Sequence, residues 1–115
     1  MMNLLEKTRD LLRLYRFSPK KRLGQNFIVD CSLLQRMLSY ASVRSDDVVL
    51  EVGAGFGFLT RLLAERCKRV IAVEVDKNLV RVLETQLNDL GNVELVEGDI
   101  LKVSVPPFNK VVSIP

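Results

Sequence analysis

The segment Glu51-Val52-Gly53-Ala54-Gly55-Phe56-Gly57 ends a short apolar run on three closely spaced glycines. Glycine lets a backbone approach a ligand without an intervening Cβ, and it takes positive φ at little cost. At the carboxyl end of a strand, such a turn sits where open α/β sheets bind their ligands. The dinucleotide fingerprint spaces its glycines G-x-G-x-x-G. Here the spacing is G-x-G-x-G, and Phe58 stands where that fingerprint needs its third glycine. The pattern argues against a bound pyrophosphate. It favours a ligand with a compact zwitterionic group, such as the methionine part of S-adenosylmethionine. By itself, a glycine cluster does no more than make a tight strand-to-helix turn.

Two acids sharpen this reading. Glu74 follows Gly53 by 21 residues and ends a second apolar run. An acid near that spacing accepts hydrogen bonds from both hydroxyls of a ribose, and a carboxylate suits the task because it offers only acceptors. Asp99 ends a third such run and is placed to accept from the exocyclic amine of an adenine. Val75 and Ile100, beside the two acids, can sandwich the adenine ring, or they can be plain core. Any one of these acids alone reads as an exposed loop residue. Three consecutive strands that each end in a ligand-type residue are much harder to obtain by chance.

The elements that must position these groups follow from periodicity. Leu4, Leu5, Leu11, Leu12 and Tyr15 predict a short amphipathic helix over 4–16, broken at Ser18-Pro19. Lys20–Asp30 has no period and reads as a loop. Ser32 with Gln35 fits a capping box, and Leu33, Leu34, Met37 and Leu38 extend a helix over about 32–41. A turn at 44–47 leads to a buried strand at Val48–Val52. A helix carrying Leu59, Leu62, Leu63 and Cys67 comes next, then a strand at Val70–Val73. Asp76 caps a further helix with the stripe Leu79, Val80, Val82, Leu83, Leu87 and Leu90, which Gly91-Asn92 stops. Val93–Val96 is a third strand, Pro106-Pro107 marks a loop, and Val111-Val112 begins a fourth strand. Alternating strands and helices predict an α/β, doubly wound, mostly parallel sheet with right-handed crossovers. With its fourth strand at the very end, the sheet reads as the front piece of a larger domain.

Composition bounds the rest. A chain of 115 residues with 48% apolar and 27% charged residues is one globular domain at most. No apolar run reaches the length of a membrane span, and the N-terminus lacks the apolar centre of a signal peptide. Cytoplasmic residence and the absence of membrane contact are the expectation. The two cysteines, Cys31 and Cys67, have no ligand-like spacing, and the chain has no histidine. A metal site is therefore not expected, and both thiols read as half-buried. Up to Arg22 the chain carries a local charge of +5, against −2 over the remainder. Lys20, Lys21 and Arg22 continue into Leu23-Gly24-Gln25-Asn26-Phe27-Ile28, a pattern that neither helix nor strand formation requires. A basic arm suits a polyanion such as RNA, and it equally suits a solvated helix face followed by a charged loop.

Taken together, L-G-Q-N-F, E-V-G-A-G-F-G, Glu74 and G-D-I, in that order and spacing, resemble the ribosomal RNA adenine dimethyltransferase family. The closest branch is the small-subunit, kasugamycin-resistance type, and the similarity runs from about Lys20 to Pro115. The resemblance implies a class I methyltransferase fold with S-adenosylmethionine as donor. It implies dimethylation of the exocyclic amine of two adjacent adenosines in small-subunit ribosomal RNA, and a role in ribosome biogenesis. Residues 1–31 would then be a basic helix and a cofactor- and RNA-contacting loop, and 32–115 the front part of the methyltransferase domain. The family's cofactor contacts fall on Asn26, Ile28, Gly53, Glu74 and Asp99, with Gln25 and Gly55 beside them. Its fourth motif, Asn-Leu-Pro-Tyr or Asn-Ile-Pro-Tyr, falls on Ser113, Ile114 and Pro115, and the aromatic position lies past the last residue.

In the family, the asparagine oxygen and the proline carbonyl hold the target nitrogen, whose lone pair is delocalised into the ring. Ser113 and Pro115 are the candidate catalytic positions. Serine is shorter than asparagine, which leaves either activity with altered contacts or a weakened, repurposed member. The chain by itself is expected to be inactive. Alternatives are a large-subunit adenine methyltransferase and a non-catalytic RNA-binding assembly factor on the same scaffold. A nicotinamide-dependent oxidoreductase is disfavoured by Phe58.

Overall fold

The computed structural model describes residues 31–113. The helix expected over 4–16 and the loop over 20–30 lie outside the described residues. Seven elements follow in order: α1 (Cys31–Ala41), β1 (Val48–Val52), α2 (Phe58–Ala64), β2 (Arg69–Glu74), α3 (Lys77–Gln86), β3 (Val93–Glu97) and β4 (Lys110–Ser113). The strands form one parallel sheet in the order β3-β2-β1-β4. From β1 the chain winds outward through β2 to β3, then returns to the other side of β1 as β4. The winding thus reverses between β1 and β4, and ligands of such sheets bind outside the carboxyl ends at that switch point.

Alternation along the strands assigns the two faces. Val49 of β1, Val70 and Ala72 of β2 and Val112 of β4 share one core with Leu34 and Leu38 of α1, Leu59 and Leu63 of α2 and Leu83 of α3. The opposite face carries Leu50, Ile71 and Val73, against which Ile100, Val103 and Val105 of the β3–β4 connection pack. Both faces of β1 and β2 are buried, which is why these strands read as continuous apolar runs.

A polar staple sets the register of β4 at the amino ends of the strands. The Asp47 carboxylate accepts from Asn109 Nδ2 at 2.7 Å and the Arg44 backbone N–H at 2.7 Å, and it pairs with Lys110 Nζ at 2.7 Å. Asn109 closes the bond pattern by accepting from Val48 N and donating its own N–H to Val48 O. The Lys110 and Asn109 hydrogen bonds hold the Asp47 carboxyl down at about 2. With this register, Ser113 lies opposite Val52 at the far end.

α1 spans Cys31–Ala41, and Gln35 Oε1 accepts from Arg66 Nη2 at 3.1 Å; the capping box expected at Ser32 lies outside the described side chains. The expected end of α3 is corrected. α3 ends at Gln86, earlier than Gly91-Asn92; Leu87 is its C-cap, and Leu90 N donates to Leu87 O in a following turn. Asn92 serves elsewhere, donating from Nδ2 to the carbonyls of Ala64 and Cys67 behind α2. Asp76 caps α3 as expected, accepting from Asn78 N and Leu79 N. Cys67 is buried more fully than the half-burial expected, and burial pushes its thiol upward.

Candidate functional site

The carboxyl ends of β1, β2 and β4 and the residues just after β3 carry the Gly53–Gly57 loop, Glu74, Ser113 and Asp99. Gly53, Gly55 and Gly57 have φ of 80°, 60° and 83°, in the left-handed region that favours glycine. Their roles differ. A Cβ at Gly53 or Gly55 would meet nothing within 4 Å, so these two present open space. A Cβ at Gly57 would lie 2.9 Å from Leu83 Cδ2 and 3.1 Å from Leu87 Cδ2. Gly57 is the N-cap of α2 and exists for close contact between the loop and α3. The resemblance placed cofactor contacts at Gly53 and Gly55, and these are the two positions with open space.

Glu74 is only 5% exposed. Its Oε1 accepts from Gly55 N at 2.9 Å and its Oε2 from Asp76 N at 3.0 Å. The carboxylate thus ties the glycine loop to the start of α3. A carboxylate has about four acceptor sites, so each oxygen keeps one for an incoming donor. Backbone bonds extend the ladders past the strands: Gly53 N donates to Val73 O and Gly98 N to Glu74 O. These bonds bring the three strand ends into one rim.

Asp99 lies on that rim and is partly exposed; its Oδ1 accepts from Leu101 N at 2.9 Å. Val75 is 55% exposed beside Glu74, free of the core. Ile100 differs from it, packing against the core cluster of Leu50, Ile71 and Val73. Ser113 Oγ donates to Val52 O at 3.3 Å, which puts the hydroxyl beside the first residue of the glycine loop. Lys20, Lys21, Arg22, Gln25, Asn26, Ile28 and Pro115 lie outside the described residues.

Two residues at the site escaped sequence reasoning. Glu51, at 2% exposure, and Thr60, at 0%, are buried between β1 and α2, with the Thr60 hydroxyl donating to Glu51 Oε1. Burial pushes the Glu51 carboxyl up to about 8; the Thr60 hydrogen bond opposes it, and the charge of Glu74 adds a smaller upward push. Signals were present in the sequence. Glu51 interrupts the apolar run V-V-L-E-V, and Thr60 shares the buried helical stripe with Leu63 and Ala64.

The model of the family described as ribosomal RNA adenine dimethylase matches residues 16–113. The chain belongs to this family. Among curated relatives, it is 44% identical over 99 residues to the probable ribosomal RNA small subunit methyltransferase A of Pyrococcus furiosus, covering 86% of this chain and 36% of the relative. To the corresponding protein of Methanopyrus kandleri it is 47% identical over 100 residues, again covering 86% and 36%. The chain spans about a third of the length of these relatives.

Solved methyltransferase structures agree in fold. A dimethyladenosine transferase from Plasmodium falciparum superposes with a TM-score of 0.69 at 30% identity, over 75% of this chain and 32% of that one. The 23S rRNA methyltransferase ErmE gives 0.70 at 39% identity, over 78% and 38%. The fold extends to an RNA methyltransferase of Salinibacter ruber, solved with S-adenosyl-L-homocysteine, at a TM-score of 0.67 and 24% identity over 76% and 60%. The fold is therefore the Rossmann-like, class I methyltransferase sheet.

Proposed function

We propose that this chain is the cofactor-binding part of an S-adenosylmethionine-dependent enzyme that dimethylates the exocyclic amine of adenosine in small-subunit ribosomal RNA. The observation that carries the reading is the rim itself. Open glycine positions at the end of β1, a ribose-accepting carboxylate at the end of β2 and an amine-accepting carboxylate after β3 meet at one switch point. Glu74, Asp76, Glu97 and Asp99 all lie at or beside this edge. An acidic rim favours a ligand with a sulfonium and an ammonium over one with a pyrophosphate.

When bound, S-adenosylmethionine supplies an electrophilic methyl group. Gly53 and Gly55 leave room for the methionine part, and Gly55 N–H is held in place by Glu74. The free acceptor sites of Glu74 take the two ribose hydroxyls. Asp99, held by the Leu101 N–H on Oδ1, takes the adenine amine on its Oδ2. Val75 offers an exposed apolar wall to the adenine, and Ile100 the rim of the core. Ser113, its hydroxyl hydrogen directed at Val52 O, keeps oxygen lone pairs to accept from the target amine. Pro115 with its carbonyl, Gln25, Asn26 and Ile28 complete the site in this reading, and Lys20, Lys21 and Arg22 contact RNA phosphates. The partner is the small ribosomal subunit precursor, in the cytoplasm. Among the described residues, no helix is long and apolar enough to cross a membrane.

The test is calorimetric titration with S-adenosylhomocysteine and with NAD, on the protein and on Glu74→Ala. Saturable binding of the first, lost in the variant, with no NAD binding, is the expected result. NAD binding, or affinity that ignores the variant, would overturn the cofactor assignment. Methyl transfer from radiolabelled donor to purified small- and large-subunit RNA then decides the substrate, and preference for the large-subunit RNA would reverse that part of the proposal.

A further inference from the structure

The Glu51–Thr60 contact spans the glycine loop. Glu51 lies two residues before Gly53, on the last turn of the β1 pleat, and Thr60 lies three residues after Gly57, in the first turn of α2. Both side chains are buried in the core between strand and helix. The loop backbone is bonded at three glycines: Gly53 N donates to Val73 O, Gly57 N to Ala54 O, and Gly55 N out to Glu74. The loop is anchored in the core by Ala54 and Phe56, while its backbone stays open at Gly53 and Gly55.

We propose that Glu51 and Thr60 form a positioning pair that holds the Gly53–Gly57 loop in its ligand-receiving shape, an inference that rests on the cofactor reading above. A bond between the two flanks fixes the distance the loop must bridge. Fixing it lowers the entropy lost when the loop orders around a ligand.

Glu51 does this as a neutral acid. Its register partners on the same face are Ala72 of β2 and Val112 of β4, both apolar. α2 presents the Thr60 hydroxyl, and the charged group acting on Glu51 is Glu74 of β2. With no facing cation among the described residues, an ionised Glu51 has no compensation there for its lost hydration. A protonated carboxyl both donates and accepts, so it can bond a hydroxyl in the core without a counter-ion. Once ionised, it would place a second negative charge beside the carboxylate that anchors Gly55. Ligand affinity should therefore fall as pH rises past the point where Glu51 titrates.

The experiment follows S-adenosylhomocysteine affinity from pH 6 to 9.5 in the protein, Glu51→Gln, Thr60→Val and Thr60→Ser, with amide exchange of Gly55 measured without ligand. Wild-type affinity should be about tenfold weaker at pH 9 than at pH 7, following the protonated fraction of an acid that titrates near 8. Glu51→Gln should bind at pH 7 and keep its affinity at pH 9, since an amide cannot ionise. Thr60→Val should lose at least about tenfold in affinity and exchange its Gly55 amide faster; Thr60→Ser should restore both. A merely structural acid would not flatten the pH profile when replaced by Gln. The pair is refuted if Glu51→Gln loses affinity with pH as steeply as wild type, or if Thr60→Val protects Gly55 as well as wild type does. Should Thr60→Val not fold, the Glu51→Gln profile decides. If the wild type binds at no pH, the cofactor reading fails, and Gly55 exchange in the Thr60 variants still judges the pair.

Discussion

Replacing Gly57 by alanine tests how the loop is built. Gly57 has φ 83°, and an L-residue in that region costs about 1–2 kcal/mol. The new Cβ would stand 2.9 Å from Leu83 Cδ2 and 3.1 Å from Leu87 Cδ2. Both leucines are buried in the main core, so their methyl groups have little room to withdraw, and overpacking of this kind costs about 1–3 kcal/mol. Alanine also stiffens the unfolded chain, which returns about 0.4–1 kcal/mol. The net loss should be about 2–4 kcal/mol. Gly53→Ala shares the backbone cost, at φ 80°, but meets no atom within 4 Å. Its net loss should be about 1 kcal/mol or less. Urea denaturation of both variants, with equal m-values, measures the difference. If Gly57→Ala loses no more stability than Gly53→Ala, the contact with α3 does not explain that glycine. Ligand binding should reverse the order: Gly53→Ala, nearly as stable as wild type, should lose S-adenosylhomocysteine affinity.

Removing the α3 cap by Asp76→Ala should cost about 1 kcal/mol in urea denaturation, since Asn78 N and Leu79 N both lose their acceptor. Leu63→Ala, fully buried between α2 and the sheet, should cost about 2–5 kcal/mol in the same assay. Asp47 titrates near 2 in the fold, below its ordinary 3.8, so its contribution is present above about pH 4 and is lost as pH falls toward 2. Asn109→Ala, which removes one of its donors, should shrink that acid-side loss; an unchanged profile would mean that Lys110 alone holds the carboxylate. Glu51 works in the opposite sense. Raised to about 8 from 4.5, it costs stability progressively as pH climbs through that interval, so Glu51→Gln should flatten the alkaline side of the stability profile. A wild-type stability level from pH 5 to 9 would refute the assignment.

The sequence by itself determined the kind of element almost everywhere between Cys31 and Ser113, because each strand that is buried on both faces must be apolar throughout and each helix must repeat its apolar stripe. It also located Glu74 and Asp99, since ligand-type residues stand out where apolar runs end. It did not determine where helices stop. Gly91-Asn92 looked like the end of α3, yet α3 ends at Gln86, and Asn92 instead bonds the carbonyls behind α2. Gln35 bonds Arg66, 31 residues away, a contact that spacing along the chain could not indicate. Only the tertiary structure divided the three glycines. Their φ angles are alike, and what separates Gly57 from Gly53 is the presence of Leu83 and Leu87 beside one and open space beside the other. Glu51 belongs to the same class. One-dimensional spacing cannot show that α2 folds back to place Thr60 against it, nor that the Glu74 charge lies close enough to matter. A residue's type is written in the chain, but its electrostatic surroundings come from segments that meet only when the sheet has formed.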